Sequence, residues 1–165
     1  MDLGKTETWI EHWEGRRNQT YTDTAGHPTV GVGFNLDANG ARDRIAALGL
    51  DYDQVRSGVQ SLTDARIDTL FDQSLNQAVH GAREVIPSFD ALPDDKQIVI
   101  IDMVFNLGVG GFREFVHAIQ AINNQDWATA AQQMQQSAWF HQVRARASAD
   151  VNVMSGAATT DQAFA

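Results

Sequence analysis

Three side chains near the amino terminus have the types and spacing to do acid–base chemistry on a sugar. Glu14 stands at the end of an amphipathic segment, Asp23 follows it, and Thr29 lies a few residues further on. Together they supply a carboxylic acid, a carboxylate and a hydroxyl. Hydrolysis of a glycosidic bond needs one protonated acid for the leaving oxygen and one carboxylate for the water or the developing cation. Trp13 beside Glu14, and the negative end of a helix dipole, both favour a proton on Glu14. An acidic chain offers many carboxylate pairs, so spacing alone does not decide. The plain alternatives are a solvated helix-end charge at Glu14 and a turn former at Asp23.

The elements that must position these groups follow from periodicity. Residues 6–14 read as a short helix, capped by Thr6 or Thr8, with Trp9, Ile10 and Trp13 as its apolar stripe and Gly15 as its stop. Residues 20–22 read as a strand, 24–27 as a turn and 29–34 as a second strand, with Gly31 and Gly33 allowing close approach of a ligand. Beyond residue 38 the pattern is helical. Segments 41–49 and 63–85 are amphipathic; the second opens on Thr63, buries Ile67, Leu70, Phe71, Leu75 and Val79, and stops at Pro87. Residues 97–107 read as a buried central helix ending at Gly108, followed by helices over 111–123, 126–136 (capped by Asp126) and 139–147. The last fifteen residues, small and polar, read as frayed or loosely docked. This order predicts one α+β, mainly α domain. A small sheet-containing N-terminal lobe (about 1–62) is joined by a connector helix (about 63–85) to a helical C-terminal lobe (about 86–165). A cleft between lobes is where an extended polymer would bind.

Composition narrows the function classes. The 165 residues are 43% hydrophobic, enough for a real core. No apolar run is long enough to span a membrane, and the polar, acidic amino terminus predicts no cleaved secretory signal. There is no cysteine, which removes disulfides, thiol nucleophiles and cysteine-bound zinc. The histidines are scattered, and His12 and Glu14 fall on different helix faces, so no metal site is expected. The net charge of −9 argues against nucleic-acid binding and sits awkwardly with a polyanionic cell wall. Lys5 and Lys96 are the only lysines.

The string Glu14-Gly15-Arg16…Tyr21-Thr22-Asp23-Thr24-Ala25-Gly26-His27-Pro28-Thr29-Val30-Gly31-Val32-Gly33 resembles the phage-type muramidases, the glycosidase family of T-even phage lysozyme. The likeness continues through Leu70-Phe71-Asp72-Gln73 and Ile101-Asp102-Met103-Val104-Phe105-Asn106-Leu107-Gly108. It ends on Ser137-Ala138-Trp139-Phe140-His141-Gln142 and Arg146-Ala147.

The resemblance implies a lysozyme-like fold and an endo-acting, inverting hydrolase. The bond cut would be the β-1,4 bond between N-acetylmuramic acid and N-acetylglucosamine in peptidoglycan glycan strands. Glu14 would be the general acid. Asp23 would orient or deprotonate the water, or stabilise the transition state, and Thr29 would help hold that water. Inversion predicts carboxyl groups roughly 6.5–9.5 Å apart. No cofactor is implied; the enzyme would act as a monomer, without membrane insertion or nucleic acid. By position, Asn35, Phe105, Phe115 and Gln133 would touch sugar, although Phe105 and Phe115 also suit a core.

Two departures stand out. Phe34 and Ser74 occupy the places of a His–Asp pair, read as an ion pair replaced by an apolar contact, and Ala138 replaces an Arg that can close across the cleft. Two alternatives follow: a lytic transglycosylase, and a non-catalytic wall-binding or virion module. The expected setting is synthesis in a host cytoplasm without a signal peptide, and action in the periplasm or wall through a holin, a virion or secretion.

Overall fold

The computed structural model describes residues 1–163, and its elements follow the apolar periodicity of the chain closely. The described chain is mainly helical, with a three-stranded antiparallel sheet near its start. It divides into two compact units, residues 11–76 and residues 1–10 with 77 onward. Helix α1 (Leu3–Glu14) and helix α4 (Asp64–Val85) each contribute to both.

In the unit of residues 11–76, strands β1 (Arg17–Thr22), β2 (Pro28–Gly31) and β3 (Phe34–Asn35) pair in that order. Tyr21 faces Thr29 across the first ladder, and Thr29 faces Asn35 across the second. Directly opposed residues share a sheet face, so Tyr21, Thr29 and Asn35 stand together. The single strand expected over 29–34 is broken. Gly31 (φ 67°) and Gly33 (φ 63°) adopt left-handed backbone that reverses the chain, and a third strand results. Helix α2 (Ala41–Ala47) and the five-residue α3 (Tyr52–Arg56) follow. Periodicity could not show so short a helix as α3; Asp51 caps it by accepting from the Gln54 N–H at 3.0 Å. Thr20, Asn18 and Gln19 bond to the carbonyls of Val55, Leu62 and Gly58 and so tie β1 down. Val30, Phe34, Leu36, Ile45, Val55, Ile67 and Leu70 form the core.

The other unit is helical. Helix α1 starts at Leu3, earlier than either threonine cap would place it. Asp2 is the cap, accepting from Lys5 N–H at 3.0 Å, while the hydroxyls of Thr6 and Thr8 donate back to the carbonyls of Asp2 and Gly4. Thr63 caps α4 through the Arg66 N–H at 3.3 Å, and the helix ends before Pro87. Helix α5 (Asp94–Arg113) buries Ile98 to Val104 without interruption, then breaks at Gly108 (φ 74°, ψ 162°) and resumes. Residues 111–113 therefore finish α5, and α6 (Val116–Asn123) starts later than expected. Asp126 caps α7 (Trp127–Gln135) and Ser137 caps α8 (Ala138–Val143). Arg144, at φ 49°, separates α8 from α9 (Ala145–Ser155).

Of the two readings of the tail, frayed or loosely docked, residues 151–160 follow the docked one, with more burial than expected. Val151, Val153 and Met154 are buried in α9. Thr160, 5% exposed, donates to Asp95 at 2.6 Å. Lys96 donates to the Val153 carbonyl at 2.6 Å beneath the Trp127 ring, which caps α9's last turn with a buried cation. Phe164 and Ala165, also within that expectation, lie outside the described residues. Among the described residues, no helix is long and apolar enough to cross a membrane.

Candidate active site

Asp23 sits at a tight reversal because its own side chain builds the turn. Its Oδ1 accepts from the N–H groups of Ala25 at 2.9 Å and His27 at 2.8 Å. Its N–H donates to the His27 carbonyl at 2.9 Å, and its carbonyl accepts from Gly26 at 3.0 Å. Aspartate does this readily, and Gly26 (φ 88°) supplies the left-handed residue the turn needs. The turn-former reading of Asp23 is thus met, and it does not occupy the whole carboxylate. One carboxylate oxygen fixes the backbone and Oδ2 takes no part in the turn. Thr29 donates its hydroxyl to the same His27 carbonyl at 3.0 Å, so its oxygen retains acceptor capacity only. Thr29 is 3% exposed, so little of it is open to solvent.

Glu14, half-buried, ends α1 against the turn between β2 and β3. A Cβ at Gly33 would fall 2.5 Å from its Oε2 and 2.7 Å from its Cδ. The space that Gly33 leaves is thus taken by Glu14. At Gly31 it is Ile67 that approaches, 3.3 Å from where a Cβ would be. Both glycines admit the protein's own side chains, where the sequence suggested a ligand. Asn35, opposite Thr29, accepts from the Asp37 N–H at 2.8 Å and keeps its amide N–H groups out of that bond.

Tyr21 links these groups electrostatically. Burial first, and then the charges of Glu14 and Asp23, push its phenol above the ordinary range, against the pull of Arg17. The Arg17 guanidinium lies 4.6 Å over its ring. One phenol therefore senses both carboxylates. Sequence reasoning passed over Tyr21 as a site residue, although it lies in the same short string as Glu14 and Asp23. Arg16, two residues after Glu14, spends its charge on Glu11, Asp64 and Asp68.

Arg44 was also missed. Its guanidinium lies 4.7 Å over the Phe34 ring and donates to Ser74 Oγ (3.0 Å), Gln73 Oε1 (3.2 Å) and the Leu70 carbonyl (3.0 Å). Burial alone lowers its pKa. Phe34 and Ser74 are therefore joined by a shared cation rather than by an apolar contact.

The helical unit carries the other proposed sugar contacts. A groove of about 580 Å³ is lined by Leu107, Phe115, His117, Gln133, Ser137 and Trp139, with others. Phe115 meets Trp139 edge to face at 5.9 Å, and Trp139 is fixed by its N–H to Asn106 at 2.9 Å. Phe115 and Gln133 are half-buried in this groove; Phe105, half-buried on α5, lies outside its lining. Glu14, Asp23, Thr29 and Asn35 thus belong to one unit, and Phe105, Phe115 and Gln133 to the other.

The sequence pattern of the family described as phage lysozyme matches residues 11–154, nearly the whole chain. The chain belongs to the phage lysozyme family. It is an enzyme of the T4-lysozyme type, in a family of peptidoglycan hydrolases. Among curated relatives of this lysozyme, the pre-baseplate central spike protein Gp5 of Enterobacteria phage T4 is 30% identical over 82% of this chain. The alignment spans only 25% of that spike protein. Two probable T4-type lysozymes of Dictyostelium discoideum align nearly end to end. They are 25% and 21% identical over 88% and 87% of this chain, and 90% and 89% of their own lengths.

Proposed function

We propose that this lysozyme cleaves the β-1,4 bond between N-acetylmuramic acid and N-acetylglucosamine within peptidoglycan strands, with inversion at the anomeric carbon. Glu14 gives its proton to the leaving oxygen. Asp23 and Thr29 hold the water that attacks from the opposite face.

The observation that supports this reading is the shared dependence of Asp23 and Thr29 on His27. Backbone N–H groups occupy Asp23 Oδ1, and the Thr29 proton is given to the His27 carbonyl. Both groups then meet a water as acceptors. A water donating one hydrogen to Asp23 Oδ2 and the other to Thr29 Oγ1 turns a lone pair outward, as a nucleophile must. Asp23 takes the proton that the water loses as the bond to the anomeric carbon forms. Asn35 is proposed to donate to a sugar oxygen, and Phe115 and Gln133 to contact sugar within the groove of the helical unit. Phe105 is retained as a proposed contact on resemblance alone. The proposed setting for this work is the periplasm or wall.

The test is digestion of purified sacculi. Glu14→Gln is expected to lower turnover by about 10²- to 10⁴-fold, the usual worth of a positioned acid. Products should carry reducing muramic ends. 1,6-Anhydro ends would instead mean a transglycosylase, and sacculus binding without released fragments would mean a non-catalytic module.

A further inference from the structure

His27 is the residue to which both Asp23 and Thr29 are bonded, and its ring leaves the turn in another direction. Its N–H holds Asp23 Oδ1, and its carbonyl accepts from the Asp23 N–H and the Thr29 hydroxyl. All of these bonds lie inside the hairpin. An exposed reversal held only by its own bonds is the kind of element that opens at low cost. The imidazole Nδ1, however, lies 3.4 Å from Asp37 Oδ2. Among the described residues, this is the one side-chain bond by which residues 23–27 reach beyond the hairpin. Asp37 is gripped in turn by the Arg56 guanidinium on α3, which holds its carboxyl below the ordinary range and keeps it an ionised acceptor. Arg56 also donates to the Tyr52 hydroxyl at 3.0 Å, and that hydroxyl donates to the Leu36 carbonyl. The path closes on the residue next to Asp37.

We propose that His27 is a positioning residue for the hydrolysis. Latched to Asp37 and through it to Arg56, its ring holds the turn in the geometry in which Asp23 and Thr29 share one water. The proposal rests on the roles of Asp23 and Thr29 given above. Exposed pairs of this kind add little to global stability, so the effect falls on turnover rather than on the unfolding midpoint.

The test compares His27→Ala, His27→Asn, Asp37→Ala and the double alanine variant for kcat, KM and Tm on solubilised glycan strands. The two alanine variants should each lose about tenfold in kcat, with KM within about twofold of the parent, because a small misplacement of reacting groups is costly. Tm should hardly move. The double variant should be no worse than either single one, and His27→Asn, which offers an amide N–H to Asp37, should recover most of the loss. Parent-like kcat in His27→Ala, losses that multiply in the double variant, or no recovery with Asn would each overturn the proposal. Asp23→Ala in the same assay separates the two readings. Full activity there removes Asp23 from the mechanism and this proposal with it. An inactive Asp23→Ala beside a fully active His27→Ala overturns this proposal alone.

Discussion

Gly33 carries no chemistry, yet the place of Glu14 depends on it. A methyl group there would sit 2.5 Å from the carboxylate, at a residue whose φ of 63° already disfavours a side chain. Gly33→Ala is therefore expected to cost roughly 1–2 kcal/mol in a denaturant melt, and about 100-fold in turnover because Glu14 must move. Parent-like turnover would show that Glu14 has room to spare. The candidate acids were legible in the sequence, since both lie in one short string with its turn residues. Arg44 was not. What it does depends on Phe34 from β3 and Gln73 and Ser74 from α4 arriving around it, and no local pattern announces that. Tyr21 lies between these cases, present in that same string but given meaning only by what stands near it.

Helix α4 was readable from end to end because its apolar spacing, the Thr63 cap and Pro87 agree. The elements misread are those where tertiary packing overrides a local pattern. The alternating run 29–34 looks like one strand until its two glycines turn it back. Helix α9 looks like tail because small and polar residues are interleaved with its few large apolar ones, although these find a core. At Gly108 the sequence indicated a stop, and the chain takes one residue out of helical geometry before continuing. Its φ and ψ of 74° and 162° belong to a region nearly closed to other residues. Gly108→Ala should lower unfolding free energy by roughly 1–3 kcal/mol, measured by urea titration. No change would mean the break can be straightened without loss.

Across the helical unit, Asp102, Arg146, Asp150 and Trp9 join α5, α9 and α1 through a buried polar cluster. Arg146 grips Asp102 with two bonds of 2.9 and 2.8 Å, and Trp9 donates to Asp150 at 3.1 Å. The other oxygen of Asp150 is buried without a donor to accept from. Burial, and then the charge of Asp102, push this carboxyl well above the ordinary carboxylate range, which favours its protonated form. In the unfolded chain the same group titrates near pH 4. Its stabilising contribution is whole below that pH and is lost as pH rises through the folded-state value, by up to about 1.4 kcal/mol per unit. Asp150→Asn should therefore flatten the decline of Tm with rising pH and raise Tm at neutral pH. A pH profile identical to the parent's would mean Asp150 is ionised in the fold. Lys96 has a practical consequence on the same scale. Its amine is covered, whereas that of Lys5, the other lysine of the sequence, is exposed and belongs to the segment before residue 11. Lysine-directed coupling to a bead or a dye will thus attach at Lys5, leaving the stretch that carries Glu14, Asp23 and Thr29 chemically untouched.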